Sequence, residues 1–107
     1  MNSYYFKGYS GSNVGRKIKG SYQFFNGTKI KVINAKEGKT IVINFASEVK
    51  EGELTMSILD YSNNPVVNLE TNTTGTKEIN SDKNQKYRLV IIGTRTKGSF
   101  NVNWEIN

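Results

Sequence analysis

The residue types that perform most protein catalysis are scarce in this chain of 107 residues. It contains no histidine and no cysteine, which excludes a Ser-His-Asp triad, a cysteine nucleophile and a zinc–thiolate site. The densest acidic group, Glu48, Glu51 and Glu53, falls in a stretch that we predict to be a solvated turn. A Ser-Lys dyad is left open, but no motif indicates one. We expect a protein that is not an enzyme and that holds no cofactor.

One turn offers oxygen atoms to a metal ion. Asp60 is followed by Asn63 and Asn64, and hard cations such as calcium bind oxygen ligands. Calcium prefers several carboxylates, however, and only one is present here. An aspartate before an Asn-Asn-Pro segment also commonly caps the turn with its own side chain. We therefore predict no metal site, and Asp60 and Asn63 are the candidate ligands if one exists.

Several tyrosines lie outside the regular apolar pattern and could stack on sugar rings. A cluster of exposed aromatic side chains on one side of a domain would indicate a binding face. The same side chains could instead pack over the open end of the domain. The candidate ligand-binding residues are Tyr4, Tyr5, Tyr9 and Tyr61, with Tyr22 a further possibility.

The net charge of +6 comes mainly from lysine, with 12 lysines and 3 arginines spread along the chain. Nucleic-acid readers favour arginine for bidentate contacts, whereas scattered lysine is typical of a solvated surface. The densest basic cluster is Arg16, Lys17 and Lys19, which we name as a candidate polyanion site. A single-stranded nucleic-acid groove built from Tyr22, Phe24, Lys29 and Lys31 is a weaker alternative, and we expect no nucleic-acid partner.

Short alternating segments separated by turn residues must position these side chains. In Ser99–Ile106, apolar residues alternate with polar ones, as they do on a strand with one buried face. Turn signals recur about every 8 to 12 residues, which is typical of a sandwich or barrel. They include Asn26-Gly27, Glu51-Gly52 and Lys97-Gly98. We predict strands at 20–25, 28–34, 39–47, 53–60, 66–70, 76–80, 86–93 and 99–106, and no helix.

The predicted fold is all-β, a jelly-roll-like antiparallel sandwich of about seven to eight strands. We divide the chain into a lead at 1–19, partly flexible with an edge strand at 4–7 and a loop at 8–15, and a sandwich domain at 20–107. Its predicted core is Ile30, Val32, Ile41, Ile43, Phe45, Met56, Ile58, Leu89, Ile91, Phe100, Val102 and Trp104.

Three segments carry a resemblance to a known family. They are 38–45, a strand entered from a glycine turn; 54–60, a strand that ends in an aspartate; and 86–91 with 98–102, a closing hairpin. About three quarters of the chain resembles the bacterial pre-peptidase C-terminal domain and related jelly-roll modules. The resemblance implies a non-catalytic, exported module. Asn64 stands where that family usually has glycine, and no peptidase accompanies the chain.

Composition and size are also similar to those of small Gram-positive lipoproteins. We therefore expect a mature fragment of a secreted or cell-surface protein, anchored through a lipid upstream of this chain. A cytoplasmic location is the lesser alternative. The expected partner is a polysaccharide or an anionic wall polymer, and an accessory domain without its own ligand is the other possibility. Because the strands are polar and dotted with lysine, edge pairing is disfavoured and we expect a monomer.

Overall fold

A computed structural model describes the backbone of residues 3–7 and 10–107, and side chains from residue 15 onward. Within these ranges the chain forms seven strands and no helix, so no described segment is a helix able to cross a bilayer. The strands are β1 (Ser3–Lys7), β2 (Ser10–Val14), β3 (Lys17–Ala35), β4 (Thr40–Leu59), β5 (Pro65–Leu69), β6 (Thr74–Asn80) and β7 (Gln85–Ile106).

Three long antiparallel strands, β3, β7 and β4, form the centre of the sheet in that order. At one side, β1 and β2 both pair with β3, and at the other side β5 and β6 both pair with β4. β3 and β4 thus each have a different edge partner at each end, and β7 lies between them along its whole length. The all-β, antiparallel architecture predicted from the sequence is confirmed.

The long strands must bend, because 22 extended residues of β7 would span about 73 Å while the longest dimension of the molecule is 40 Å. The bend lies where the strand register shifts: between Tyr22 and Gly27 in β3, and between Val49 and Glu53 in β4. We call this row of bulges the corner. It divides one continuous sheet into two five-stranded half-sheets.

The first half-sheet contains β2, the start of β3, the end of β7, the start of β4, and β6. The second contains β1, the end of β3, the start of β7, the end of β4, and β5. Buried side chains from both form a single hydrophobic cluster, so the half-sheets pack face to face as a sandwich. This arrangement is the jelly-roll-like sandwich that the alternating pattern predicted.

The bulges reverse which residues of β3 face the core. Before the corner, Ile18 and Tyr22 are buried; beyond it, Phe25, Ile33 and Ala35 are buried. The buried positions therefore change from even to odd numbers, because a bulge inserts an unpaired residue and shifts the alternation by one. The other two central strands show the same reversal at the same place.

This reversal corrects two of the predicted core residues. Val32 is 47% exposed and Ile30 is only half-buried, whereas Lys29 is 6% exposed and Ile33 is 1% exposed. Burial lowers the pKa of Lys29, and the charge of Lys31 lowers it further. All other predicted core residues are buried, Trp104 among them, and Leu54 joins them.

Three predicted turns are also corrected, since Asn26-Gly27, Glu51-Gly52 and Lys97-Gly98 all lie inside strands at the corner. Gly98 has φ +151°, and a Cβ there would collide with the Glu48 carbonyl oxygen. Glycine and asparagine supply the same unusual backbone angles in a bulge as in a turn, so the sequence pattern does not separate the two.

The N-terminal segment is more regular than predicted. Residues 10–14, which we expected in a loop, form β2 and pair with β3 through a two-residue turn at Gly15 and Arg16. The edge strand expected at 4–7 coincides with β1. β3 runs across the proposed boundary between residues 19 and 20, and that division of the chain stays a prediction.

Candidate binding site

Three turns that are distant in sequence meet at one end of the sandwich: 36–39, 60–64 and 81–84. Backbone hydrogen bonds join the first to the third, since Gly38 N donates to Ser81 O and Ser81 N donates to Lys39 O, both at 2.8 Å. These turns follow the ends of β3, β4 and β6. Main-chain hydrogen bonds therefore fix two of the three turns relative to each other.

Side chains reinforce this framework. Glu37 N donates to Asn84 Oδ1 at 2.8 Å, a second link between the first and third turns. The Ser81 hydroxyl, on a residue only 2% exposed, donates to Lys83 O at 2.7 Å. The backbone that carries Lys83 is consequently held in place although its side chain is solvated.

Asp60 organises the 60–64 turn. Its Oδ1 accepts the backbone N–H of Ser62 and of Asn64, each at 2.9 Å, and its Oδ2 accepts Asn64 Nδ2 at 3.2 Å. The hydrogen bond from the Asn64 backbone is the main reason that the pKa of Asp60 lies below its ordinary value. The ionised carboxylate is thus directed into its own turn, as expected of a capping aspartate.

The side chain of Arg88, in β7, donates hydrogen bonds to the same turn. Its Nη2 donates to Tyr61 O at 3.1 Å and also to Asn63 Oδ1. The guanidinium carbon lies 5.4 Å from the centroid of the Tyr61 ring, within cation–π range. Tyr61 nevertheless remains 65% exposed. The contacts position an aromatic ring that is open to solvent.

Beside Tyr61 lies a cavity of about 810 Å³ that we call the lysine pocket. Three lysines and one aspartate contribute charged groups to its wall, so the lining is net positive. Backbone and side-chain amides add hydrogen-bonding groups. The lining residues are Asn34, Ala35, Lys36, Asp60, Tyr61, Ser62, Lys83, Asn84, Gln85 and Lys86.

This combination suits an anionic ligand with a flat or ring-shaped apolar part. Lysines are mobile point charges that pair with carboxylate or phosphate, and an exposed tyrosine ring can stack on a sugar while its hydroxyl stays in water. The amides can orient hydroxyl groups.

The predicted polyanion residues lie elsewhere. Arg16, Lys17 and Lys19 are all exposed, and the buried Ile18 between the two lysines directs both onto the outer face of the first half-sheet. Lys19 lines a second groove there, of about 680 Å³, whose wall also includes Glu48. One lysine and one glutamate line this groove, whereas three lysines and one aspartate line the lysine pocket, so the groove is the less selective anion site.

The tyrosine candidates are not all brought together. The backbone of Tyr4 and Tyr5 pairs with Gly27 and Asn26 at the corner. Tyr61 instead lies just beyond the end of β4. The last residue of β4, Leu59, lies in the same cross-strand row as Val32 of β3. Five residues of strand, about 16 Å, separate these rows. Tyr9, and the side chains of Tyr4 and Tyr5, lie outside the described residues.

The other candidates are also located. Tyr22 is buried at 3% exposure and Lys29 at 6%, so the nucleic-acid groove imagined for them is not an exposed surface. The Asp60 and Asn63 oxygens are occupied by the turn and by Arg88. Among the residues whose side chains are described, no three His, Cys, Asp or Glu residues cluster as metal ligands would.

Sequence reasoning found Tyr61 and Asp60 but missed the three lysines beside them. Lys36, Lys83 and Lys86 are separated by up to 50 residues and come from two different turns and a strand start. The pairing of Ala35 with Gln85 and the hydrogen bonds between turns 36–39 and 81–84 bring them together. A possible signal was that each lies in a predicted turn or beside one, where a lysine is freely presented.

Comparisons with known proteins support the fold. No protein-family model matches the sequence, and no curated protein matches it. The structure is similar to that of Aeromonas hydrophila PliG, a periplasmic inhibitor of g-type lysozyme (TM-score 0.55, 14% identity, 83% of this chain and 84% of that one). At these identities the likeness establishes the sandwich fold alone.

A second similar structure is the enzymatically active domain of bacteriophage CBA120 tailspike protein 4, with a TM-score of 0.52 and 14% identity. The match covers all of this chain but only 19% of that one. It therefore likens this fold to one part of a much larger protein. The class that these features define is a small β-sandwich module carrying a basic, aromatic-rimmed pocket.

Proposed function

We propose that this chain is a non-catalytic binding module of a secreted or cell-surface protein, and that it binds an acidic polysaccharide or an anionic wall polymer in the lysine pocket. The observation that carries the proposal is the exposed Tyr61 ring, held by Arg88 at the rim of a cavity lined by three lysines. Stacking would select a ring, and the lysines would select its negative charge.

The charge of the pocket supports an anionic ligand. The carboxylate of Asp60 already accepts three hydrogen bonds within its turn, so it competes little with a ligand for the lysines. An ion pair at a partly exposed site contributes about 0.2–1 kcal/mol. Several such pairs repeated along a polymer would give useful affinity even though each is weak.

The rigidity of the pocket supports recognition rather than chance attraction. Turns 36–39 and 81–84 are joined by main-chain hydrogen bonds, and Arg88 donates to the Tyr61 carbonyl and lies against the Tyr61 ring. Less conformational entropy is lost on binding when the site is already ordered. Export and attachment through an upstream lipid remain part of the proposal, and mass spectrometry of the native protein tests them.

The experiment is calorimetric titration with polygalacturonate, an acidic polysaccharide, and with neutral galactan, each at low and high salt. Lys83→Gln/Lys86→Gln removes two charges from the pocket, and Lys17→Gln/Lys19→Gln removes two from the other half-sheet, so the variants are matched in net charge. We expect the first to weaken polygalacturonate binding about 2- to 30-fold and the second to leave it unchanged.

Tyr61 gives an independent test. Tyr61→Ala should weaken binding, whereas Tyr61→Phe should retain most of it, because the ring and not the hydroxyl stacks. Equal binding of galactan with no salt dependence would contradict an anionic ligand. Loss of binding in Lys17→Gln/Lys19→Gln instead would move the site to the first half-sheet. A folded domain that binds neither polymer would favour an accessory role without a ligand.

A further inference from the structure

The two outer faces of the sandwich differ in polarity. On the second half-sheet, nine neighbouring positions of β3, β7 and β4 project outward and five carry aliphatic side chains, in the rows Val32–Arg88–Leu59, Ile30–Val90–Ser57 and Thr28–Ile92–Thr55. We call this surface the aliphatic face. Nine outward positions on the first half-sheet carry a single apolar side chain, that of Ala46, in the rows Lys17–Asn103–Asn44, Lys19–Asn101–Ala46 and Ser21–Ser99–Glu48.

Among the residues whose side chains are described, the large apolar side chains that are exposed to solvent all lie on the side of the aliphatic face. Val32 is 47% exposed and Ile92 is 41% exposed, as is Val66 at the margin of the face on β5. Tyr61 is 65% exposed and lies at the end of the face nearest the lysine pocket, since its ring contacts Arg88. A concentration of exposed apolar side chains on one side commonly marks an interaction surface.

Basic groups lie at the pocket end of the same surface. Lys86 projects outward one row beyond Arg88, and it lines the lysine pocket together with Lys36 and Lys83. The carboxylate of Asp60, the acidic group of that pocket, is already hydrogen-bonded within its own turn. This end of the aliphatic face is therefore strongly positive.

The charges at the corner end balance one another. Arg95 and Lys97 are exposed there, and so are Glu51 and Glu53. The backbone of Lys97 pairs with that of Glu51. The aliphatic face as a whole consequently has a net positive border, and its complement is a surface that is both apolar and anionic.

We propose that the aliphatic face lies on the surface of an anionic lipid bilayer. Val32, Ile92 and Val66 enter the boundary between the headgroups and the acyl chains, and the lysines at the pocket end contact lipid phosphates. Bilayers with anionic lipids attract basic residues, and tyrosine, with an apolar ring and a polar tip, is enriched at the membrane–water interface. This contact is distinct from the upstream lipid anchor and from the polymer binding proposed above.

The size of the face fits a bilayer better than a protein partner. Three strands about 4.8 Å apart and four residues of length give an area of about 10 Å by 13 Å, far below the roughly 800 Å² per partner of a standard protein interface. A bilayer requires no matching surface, because its affinity for a protein grows with the buried apolar area and with attraction to anionic lipids. Val32 and Ile92 lie about 13 Å apart along the strands, so both reach the bilayer only when the sheet lies nearly parallel to it.

The test is co-sedimentation of the chain with sucrose-loaded vesicles of phosphatidylglycerol and phosphatidylcholine, and with vesicles of phosphatidylcholine alone. We expect binding to the anionic vesicles that weakens as salt is added, and much weaker binding to the neutral ones. Ile92→Ser should weaken binding about 3- to 15-fold, because it removes apolar area that the bilayer would bury. Val42→Ser is the matched control, since Val42 is half-buried on the outer face of the first half-sheet. It should leave binding unchanged, and circular dichroism confirms that both variants fold.

Charge variants test which side of the molecule meets the bilayer. Lys83→Gln/Lys86→Gln should weaken vesicle binding about 25-fold, which is about fivefold for each basic residue near an anionic surface. Lys17→Gln/Lys19→Gln removes the same charge from the opposite outer face, which is further from the bilayer than the screening length of about 8 Å. It should therefore leave vesicle binding nearly unchanged.

The Ile92 variant also separates this proposal from polymer binding, because Ile92→Ser should leave the titration with polygalacturonate unchanged. A chain that does not bind anionic vesicles, or that binds neutral ones equally well, overturns the proposal. Ile92→Ser with the affinity of the wild type would show that lysines attract lipid without the aliphatic face, and this result also overturns it. Equal losses in the two lysine pairs would do the same.

Discussion

Tyr22 allows the packing of the core to be measured through pH. The side chain is 3% exposed, and its ring centroid lies 5.4 Å from that of Phe25 and 5.9 Å from that of Phe100. Burial among these rings raises the pKa of the Tyr22 hydroxyl to about 12, an effect that Thr96 partly offsets. The neutral phenol is therefore favoured by folding.

The sign and size of the effect follow from proton linkage. The unfolded chain loses this proton near pH 10 and the folded chain near pH 12, so between these values the unfolded state binds fewer protons and stability falls as pH rises. The contribution is fully present below pH 10. About 1.4 kcal/mol of the free energy of unfolding is lost at pH 11, and about 2.7 kcal/mol is lost above pH 12.

Urea unfolding followed by fluorescence between pH 8 and pH 11 measures this loss, and Tyr22→Phe is the control. Phenylalanine keeps the ring but has no ionisable group, so the ionisation of lysines and of the other tyrosines cancels in the difference. We expect wild type to lose about 1.4 kcal/mol more than Tyr22→Phe over this range. If the two proteins lose the same amount, Tyr22 is not desolvated as described and the reasoning is refuted.

The corner supports two further predictions. Ile33→Ala should cost about 2–5 kcal/mol of stability and Val32→Ala less than about 1 kcal/mol; equal losses in thermal unfolding would contradict the reversal of β3. Gly98→Ala should cost about 2–4 kcal/mol because its Cβ would meet the Glu48 carbonyl. Gly38→Ala is the control, because Gly38 has φ +80° and a Cβ there would meet nothing within 4 Å. It should cost only the backbone strain, about 1–2 kcal/mol of stability. If Gly38→Ala loses as much stability as Gly98→Ala, the collision at Gly98 contributes nothing.

Much of the fold could be predicted because alternation is a local property of the chain. Phe100, Val102 and Trp104 follow one another on the core face of β7 as their spacing indicated. Val32 could not be assigned correctly, because its direction depends on a bulge that begins ten residues earlier. A single strand that contains a bulge and a pair of strands joined by a turn place glycine at the same positions in the sequence, so the pattern does not distinguish them.

The candidate site was less predictable for a different reason. Asp60 was expected to cap its turn, and it does so through atoms four residues away. Arg88 reaches that turn from 25 residues further along. Lys36 and Lys83 line one pocket because β3 pairs with β7 and because hydrogen bonds join their two turns. Local chemistry is visible in a sequence, whereas a pocket assembled by long-range pairing becomes visible only with the sheet topology.

The corner has a consequence for how the chain folds. Each central strand belongs to both half-sheets, so the loss of one central strand disrupts both halves. Lys17 pairs with Asn103, 86 residues further along the chain. Native contacts between such distant residues make folding slow. Backbone amides on both sides of the corner should therefore exchange with solvent hydrogen through the same global opening, with similar protection in the two half-sheets.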